Sequence, residues 1–270
     1  MMNTNMNDVQ RLLASRIEDY FSRADRGELA CGNFLTPGEA AFSLAVIKEL
    51  RKTDRVFLFG GYAEAERKRL FVIPSYLSDF EGEPEQKARE FFAEELEESV
   101  RAIKIEGSRY RALSHRDYLG SLLSLGIERD ALGDIVVSDP FNAVIFCTGK
   151  ILPYLLSGID RIASDKVKVS EFTVDKSFVA KREFLPITDT IASNRLDCVV
   201  GALTNLSREK AQAAIRSGLC EVNYMPEQRV DVEVKLPCVI SVRGHGKFNI
   251  LSFDGETRRG RLRLVAQKYV

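Results

Sequence analysis

The 270-residue chain has no apolar run near the roughly 20 residues that a membrane span requires, so its sequence offers no spanning helix. Its polar start, MMNTNMNDVQRLL, lacks the basic segment and apolar core of a secretory signal, and the expected location is the cytoplasm, with no membrane partner. Histidine is nearly absent: His115 and His245 stand far apart, which argues against a histidine-based metal centre. Cysteine is sparse and odd in number. Cys31, Cys147, Cys198, Cys220 and Cys238 include no Cys-x-x-Cys pair, a pattern of reduced, buried thiols rather than disulfides or zinc ligands. Gly60-Gly61-Tyr62 has neither a Walker lysine nor Gly-x-Gly-x-x-Gly spacing, and reads as a tight turn rather than a phosphate loop. No metal and no cofactor is expected. No segment repeats at a fixed period, and none is of low complexity.

Net charge is also absent, with 39 basic residues against 39 acidic ones. Balance of this kind argues against a nucleic-acid partner only if the charge is evenly spread, and it is not. Residues 191–270 hold 13 lysines and arginines against 8 acids, whereas residues 79–98 (DFEGEPEQKAREFFAEELEE) hold 9 acids against Lys87 and Arg89. A basic C-terminal module and an acidic helix or linker are therefore hidden in a neutral total. The 45% hydrophobic and 29% charged fractions are those of an ordinary globular protein, and the length suits two or three compact units.

Periodicity organises the N-terminal part. Apolar residues at three- and four-residue steps from Asp8 to Arg26 predict an amphipathic helix. Thr36, Pro37 and Glu39 form the signature of a capping box opening a second helix. Arg55–Phe59 and Leu70–Ile73 read as buried strands. In the middle, strand Val100–Glu106, a helix capped by Ser114 and ending near Gly126, strands Ile135–Val137 and Val144–Phe146, a helix from Gly149 to Ala163 and strand Val167–Phe172 give the order β-α-β-β-α-β of ferredoxin-like folds. RNA-recognition domains share that plait, but FNAVIFCTG lacks the basic and aromatic pattern with which they stack bases. Residues 173–192 have a weak pattern and contain Pro186, and read as a connection.

From Ser193, Leu196, Val199, Val200 and Leu203 mark one short helix, and Ser207 caps a second that carries Ala211, Ala214 and Ile215 and stops at Gly218. Strands Leu219–Asn223, Val230–Val234, Cys238–Val242 and Lys247–Phe253 are expected to complete the core. This module resembles the S4 RNA-binding domain through Arg195-Leu196-Asp197, Ser207-Arg208, Ala211, Ile215, Gly218, Val222-Asn223 and Val242-Arg243-Gly244. Two positions depart from that pattern: Tyr224 stands where glycine usually follows the asparagine, and Pro237-Cys238 replaces Gly-Asp. The remainder is similar to the YlmH family of bacterial S4-domain proteins, through FLTPGEAAF, FGGYAEAERKRLFVIP and LSHRDYLGSLLSLGIERDALGDIVV.

The resemblance implies an α+β chain of three units: an N-terminal α/β domain (1–82), a ferredoxin-like, RRM-like domain (83–175) and an S4 domain (186–270). It further implies a non-enzymatic factor that binds rRNA and tRNA on the large ribosomal subunit in ribosome-associated quality control, with a family link to cell division; the chain is expected to be monomeric. Basic side chains on a rigid helix pair meet phosphates and release counterions. On that logic Arg195, Arg208 and Arg216 are the first expected RNA contacts, followed by Lys210, Arg243 and Lys247, with Asn223 from the S4 pattern. Arg258, Arg259, Arg261 and Arg263 are either a second contact or the charged defence of an edge strand. Pseudouridine synthases also carry a catalytic Arg-Leu-Asp, but there a Thr- or Ser-Gly-Leu segment follows it, whereas Cys198-Val199-Val200 follows here. Asp197 therefore reads as a structural or RNA-orienting group, and His115-Arg116-Asp117, whose side chains diverge on a helix, as residues that cap the helix and contact phosphate or the neighbouring domain. The alternatives are an RNA-modifying enzyme of the pseudouridine synthase or methyltransferase kind and a protein-interaction adaptor, of the cell-division kind, built on the acidic segment 79–98 and the apolar middle sheet.

Overall fold

The computed structural model describes residues 8–175, 178–180, 184–256 and 260–269. It is a mixed α+β chain whose contacts divide it into two compact units, Met1–Lys181 and Arg182–Val270.

The first unit opens with α1 (Asp8–Ala24), β1 (Ala30–Leu35), α2 (Pro37–Glu49), β2 (Val56–Phe59) and β3 (Lys68–Val72). Thr36 accepts from the backbone of Glu39 while the Glu39 carboxylate accepts from the backbone of Thr36 at 2.7 Å, so the capping box starts α2. The three strands pair in the order β1-β3-β2. Strand β1, which sequence periodicity does not reveal, contains Gly32 and Asn33 between two shifted registers of its pairing with β3. Acidic helices α3 (Pro84–Phe91) and α4 (Ala93–Ser99) then lead to β4 (Val100–Gly107), α5 (His115–Ser124), β5 (Leu132–Asp139), β6 (Asn142–Thr148), α6 (Leu152–Gly158), β7 (Arg161–Ile162) and β8 (Asp165–Glu171). The second expected helix of this region is shorter than residues 149–163, because a turn of 3-10 helix precedes it and β7 follows it.

The antiparallel sheet of this region runs β5-β6-β4-β8-β7. One face packs on α5 and α6, with Ile103, Ile105, Ile145 and Cys147 against Tyr118, Leu122 and Leu155. The opposite face is also covered. Ala102, Val136, Val144 and Phe146 join Phe34, Phe57 and Phe71 of the N-terminal sheet in a single cluster, so the boundary expected at residues 82/83 crosses a shared core. Two glycines permit the close approach: a Cβ at Gly133 would lie 2.7 Å from the Phe34 ring, and one at Gly61 would lie 2.5 Å from the Phe146 ring. Gly61 also has φ +98°, a conformation that side chains rarely adopt.

The second unit comprises β9 (Phe184–Ile191), α7 (Leu196–Thr204), α8 (Arg208–Arg216), β10 (Cys220–Val222), β11 (Met225–Pro226), β12 (Cys238–Val242), β13 (Gly246–Glu256) and β14 (Leu262–Tyr269). Its sheet order is β11-β10-β12-β13-β14-β9. Three expectations are corrected here. Part of the supposed connection 173–192 is β9, which pairs with β14 over its whole length and tolerates Pro186 because it lies at the sheet edge. Strand β14, expected at the edge, is consequently interior. Residues 230–234 form no strand and meet α7 through an isolated bridge, Arg195 to Glu233. The core of the unit places Leu196, Val199, Val200, Ala211 and Ile215 of the helices on Ile240, Val242, Phe248, Ile250, Leu264 and Ala266 of one sheet face.

Candidate RNA interface

The segment 230–234 fixes the start of α7. The backbone N–H groups of Leu196 and Asp197 donate to the carbonyls of Val232 (2.8 Å) and Val230 (3.0 Å), and Val234 donates to Asn194 (2.9 Å), which anchors two of the donors that a helix start leaves open. This pins Asp197, at 1% exposure, beneath the helix pair. Its carboxylate accepts five hydrogen bonds: from Arg195 Nε (3.1 Å) and Nη2 (3.4 Å), Arg208 Nε (3.3 Å), Gln212 Nε2 (2.8 Å) and the backbone of Cys198 (3.1 Å). Burial alone would push this carboxyl up, but the hydrogen bonds from Arg195, Gln212 and Arg208 outweigh it and hold the group well below the usual carboxylate range. The aspartate of the Arg-Leu-Asp tripeptide thus orders one arginine at the cap of α7 and another in the first turn of α8. Two guanidinium groups on one carboxylate leave a positive residue, and their side chains remain 40% (Arg195) and 67% (Arg208) exposed.

Gln212, which sequence reasoning passed over, follows Arg208 by one helical turn, and Arg216 follows Gln212 by another; the three share one ridge of α8. The four-residue spacing was the available signal. Lys210 is exposed but lies roughly 200° round the helix from Arg208, away from this ridge. Asn223 occupies the two-residue turn between β10 and β11 with φ 48°, and its side-chain oxygen accepts from the backbone of Val239 at 2.9 Å. Tyr224, at the usual glycine position, follows it with φ 66°. Arg243 is exposed at the β12–β13 hairpin, and Lys247 lies on β13 with its ammonium over the rings of Tyr224 (5.0 Å) and Tyr269 (4.4 Å). Arg258 and Arg259 lie outside the described residues. Arg261 donates to the carbonyl of Thr190 (2.7 Å), and Arg263 stands opposite Asp254. The structure therefore joins Arg195 and Arg208 on one group, with Arg216 along the same ridge, and distributes Lys210, Asn223, Arg243 and Lys247 over other surfaces.

The first unit offers less. The FGGYAEAERKR stretch wraps Asp134, whose carboxylate accepts from the Tyr62 hydroxyl (2.6 Å) and the backbones of Glu66 (2.8 Å) and Arg67 (2.9 Å). The Arg67 guanidinium donates to the carbonyls of Leu132, Phe34 and Arg129, which staples the two sheets together. In His115-Arg116-Asp117, Asp117 closes the capping box with Ser114 and accepts from Arg111 at 3.0 Å, so the three side chains form no acid–base set. Burial, assisted by Arg129, lowers the pKa of His115. A cleft of about 660 Å³ is lined in part by Phe59, Tyr62, Arg89, Arg101 and Glu171. Its arginines pair with carboxylates, Arg89 with Glu85 and Arg101 with Glu98 and Glu171, which leaves them poorly suited to hold an anion. No helix among the described residues is long and apolar enough to cross a membrane.

Both family models that match this chain lie within the first unit. Residues 9–77 match the family model "YlmH, N-terminal" and residues 93–176 match "Putative RNA-binding domain in YlmH", together more than half of the chain. The ribosome-associated protein quality control protein P2 of Bacillus subtilis is 27% identical over 242 residues, covering 87% of this chain and 86% of that protein. A solved structure, cell division protein ylmH from Streptococcus pneumoniae, is 17% identical with a TM-score of 0.46, over 64% of this chain and 96% of that one. The paired matches to its N-terminal and RNA-binding regions, in chain order, show that the chain belongs to the YlmH family.

Proposed function

We propose that the chain is a non-enzymatic RNA-binding factor that meets rRNA and tRNA on the large ribosomal subunit and acts as a monomer in ribosome-associated quality control of stalled peptidyl-tRNA. In this reading residues 1–82 are an α/β domain, 83–175 a ferredoxin-like plait fused to it through the shared core, and 186–270 an S4-type module that supplies the principal RNA contact. The observation that carries it is the Asp197 hub, which holds Arg195 and Arg208 on one buried carboxylate while their side chains stay 40% and 67% exposed. Preorganised guanidinium pairs suit phosphate oxygens, because the geometry is set before binding and less side-chain entropy is lost. The name of the Bacillus subtilis relative, a ribosome-associated quality control protein, supports the ribosomal setting.

The test is co-sedimentation with purified large subunits at moderate salt. Arg195→Glu/Arg208→Glu is expected to remove binding, by roughly a hundredfold or more in affinity, and to flatten the salt dependence because fewer counterions are released. Co-sedimentation equal to the unaltered chain would show that the hub is not the RNA contact.

A further inference from the structure

The helix pair covers one face of the second unit's sheet; the other face carries a second set of chemistry. Phe184 on β9 pairs directly with Tyr269 on β14, and their rings meet edge to face at 5.0 Å. Lys247 and Tyr269 flank the Phe248–Lys268 pair on neighbouring strands, so they lie side by side on the face opposite the buried Phe248 ring. The Lys247 ammonium sits 4.4 Å from the Tyr269 ring centre and 5.0 Å from that of Tyr224. All four residues, three of them aromatic, are half-buried rather than fully enclosed. Arg243, exposed at the adjoining hairpin, adds a second cation. Glu221 is the acid of the same cross-strand row, beyond Ser241.

We infer that this row, Phe184, Tyr269, Lys247 and Tyr224, is a stacking platform for unpaired nucleotides of RNA, distinct from the arginine ridge on the helices. Rings held in place by neighbours lose little freedom when a base stacks on them, and every base has a π-face to offer. The ammonium between two tyrosines holds both rings by cation–π attraction and sets positive charge where the phosphates of a stacked strand pass. Tyr224 is placed for this by its turn: the left-handed backbone that the S4 pattern usually gives to glycine here carries a ring to Lys247. The platform rests on the RNA-binding reading above and deepens it, assigning single-stranded RNA to the sheet and phosphate-backbone contact to the helix pair.

The experiment uses the full chain and two fluorescent probes, a short oligouridylate and a base-paired RNA hairpin, with affinity read by anisotropy. Tyr224→Ala/Tyr269→Ala is expected to weaken oligouridylate binding about tenfold or more while changing hairpin binding by about twofold at most, and Tyr224→Phe/Tyr269→Phe, which keeps the rings, to bind both normally. The chain contains no tryptophan, so Tyr269→Trp installs a lone indole whose emission reports directly on stacking even if the alanine variant is unstable. Quenching by oligouridylate supports the platform. Unchanged emission at saturating oligouridylate, or unaltered affinity in a folded Tyr224→Ala/Tyr269→Ala, overturns it. Arg195→Glu/Arg208→Glu that retains full hairpin affinity instead overturns the helix-pair reading, while the tyrosine variants still decide the sheet.

Discussion

The two large sheets of this chain present a similar alternation of side chains and put it to opposite uses. In the first unit both faces of the five-stranded sheet are buried, one under α5 and α6 and the other under the N-terminal sheet through Phe34, Phe57, Phe71 and Phe146. In the second unit α7 and α8 take one face, while Tyr224, Lys247 and Tyr269 remain half-exposed on the other. The aromatic residue on the third strand of the plait, where RNA-recognition domains display stacking rings, is Phe146 at 0% exposure. A shared plait therefore does not carry a shared binding face.

The largest expected effect breaks this contrast at its clearest point. Phe146→Ala removes a fully buried ring that stacks on Tyr62 at 4.9 Å and should destabilise the first unit by about 3–5 kcal/mol. Tyr269→Ala, on the open face, should cost about 1 kcal/mol. Denaturant unfolding of the two variants measures both, and equal losses would mean that the outer face of the second unit is a packing surface after all.

A smaller effect separates the units by their buried polar groups. Asp197→Asn keeps the shape of the hub but strips two arginines of their counter-charge. A fully buried pair would lose several kcal/mol, but the exposure of Arg195 and Arg208, 40% and 67%, reduces the expected loss to about 2 kcal/mol. The pH dependence has a definite sign. The pKa of Asp197 is depressed in the folded state, so its contribution is complete above the unfolded value of about 3.9 and fades as pH falls through the folded value. The stability gap between Asp197→Asn and the unaltered chain should be constant near neutrality and narrow in acid below about pH 4. A gap that persists unchanged in strong acid would assign the loss to packing.

Local chemistry was legible in the sequence wherever a residue's partner lies within a few positions. The capping box at Thr36, the helix cap at Ser114 and the strands of the plait follow from spacing alone. What spacing hides is which buried face meets which. Val144 and Phe146 alternate as any half-buried strand would, and nothing local states that Phe57 and Phe71 cover them. Strand β9 escaped because Pro186 and a polar run mimic a connection; only its pairing with β14 reveals an edge strand. In the candidate site, the register of the Arg-Leu-Asp tripeptide marked Asp197 as structural. Its donors Arg208 and Gln212, however, come from 11 and 15 residues further on, across the turn between two helices.

The smallest expected effect is a gain. Tyr118 is fully buried on α5, yet its hydroxyl has no hydrogen-bond partner among the described residues, the reverse of Asp197 with its five donors. An unpaired buried hydroxyl has lost its water without replacement, so Tyr118→Phe, which keeps the ring, should stabilise the first unit by up to about 1 kcal/mol. Burial, with Asp139, Asp165 and Asp117 nearby, pushes the Tyr118 pKa up from 10.0 to about 12. A raised folded value means that the neutral hydroxyl's contribution is intact below the unfolded pKa and is lost as pH climbs towards the folded one. The unaltered chain should therefore lose stability more steeply than Tyr118→Phe between pH 10 and about 12, as measured by thermal unfolding across that range. Parallel curves would mean that the hydroxyl finds a partner in solution, and the contrast between a satisfied carboxylate in one unit and an orphaned hydroxyl in the other would disappear.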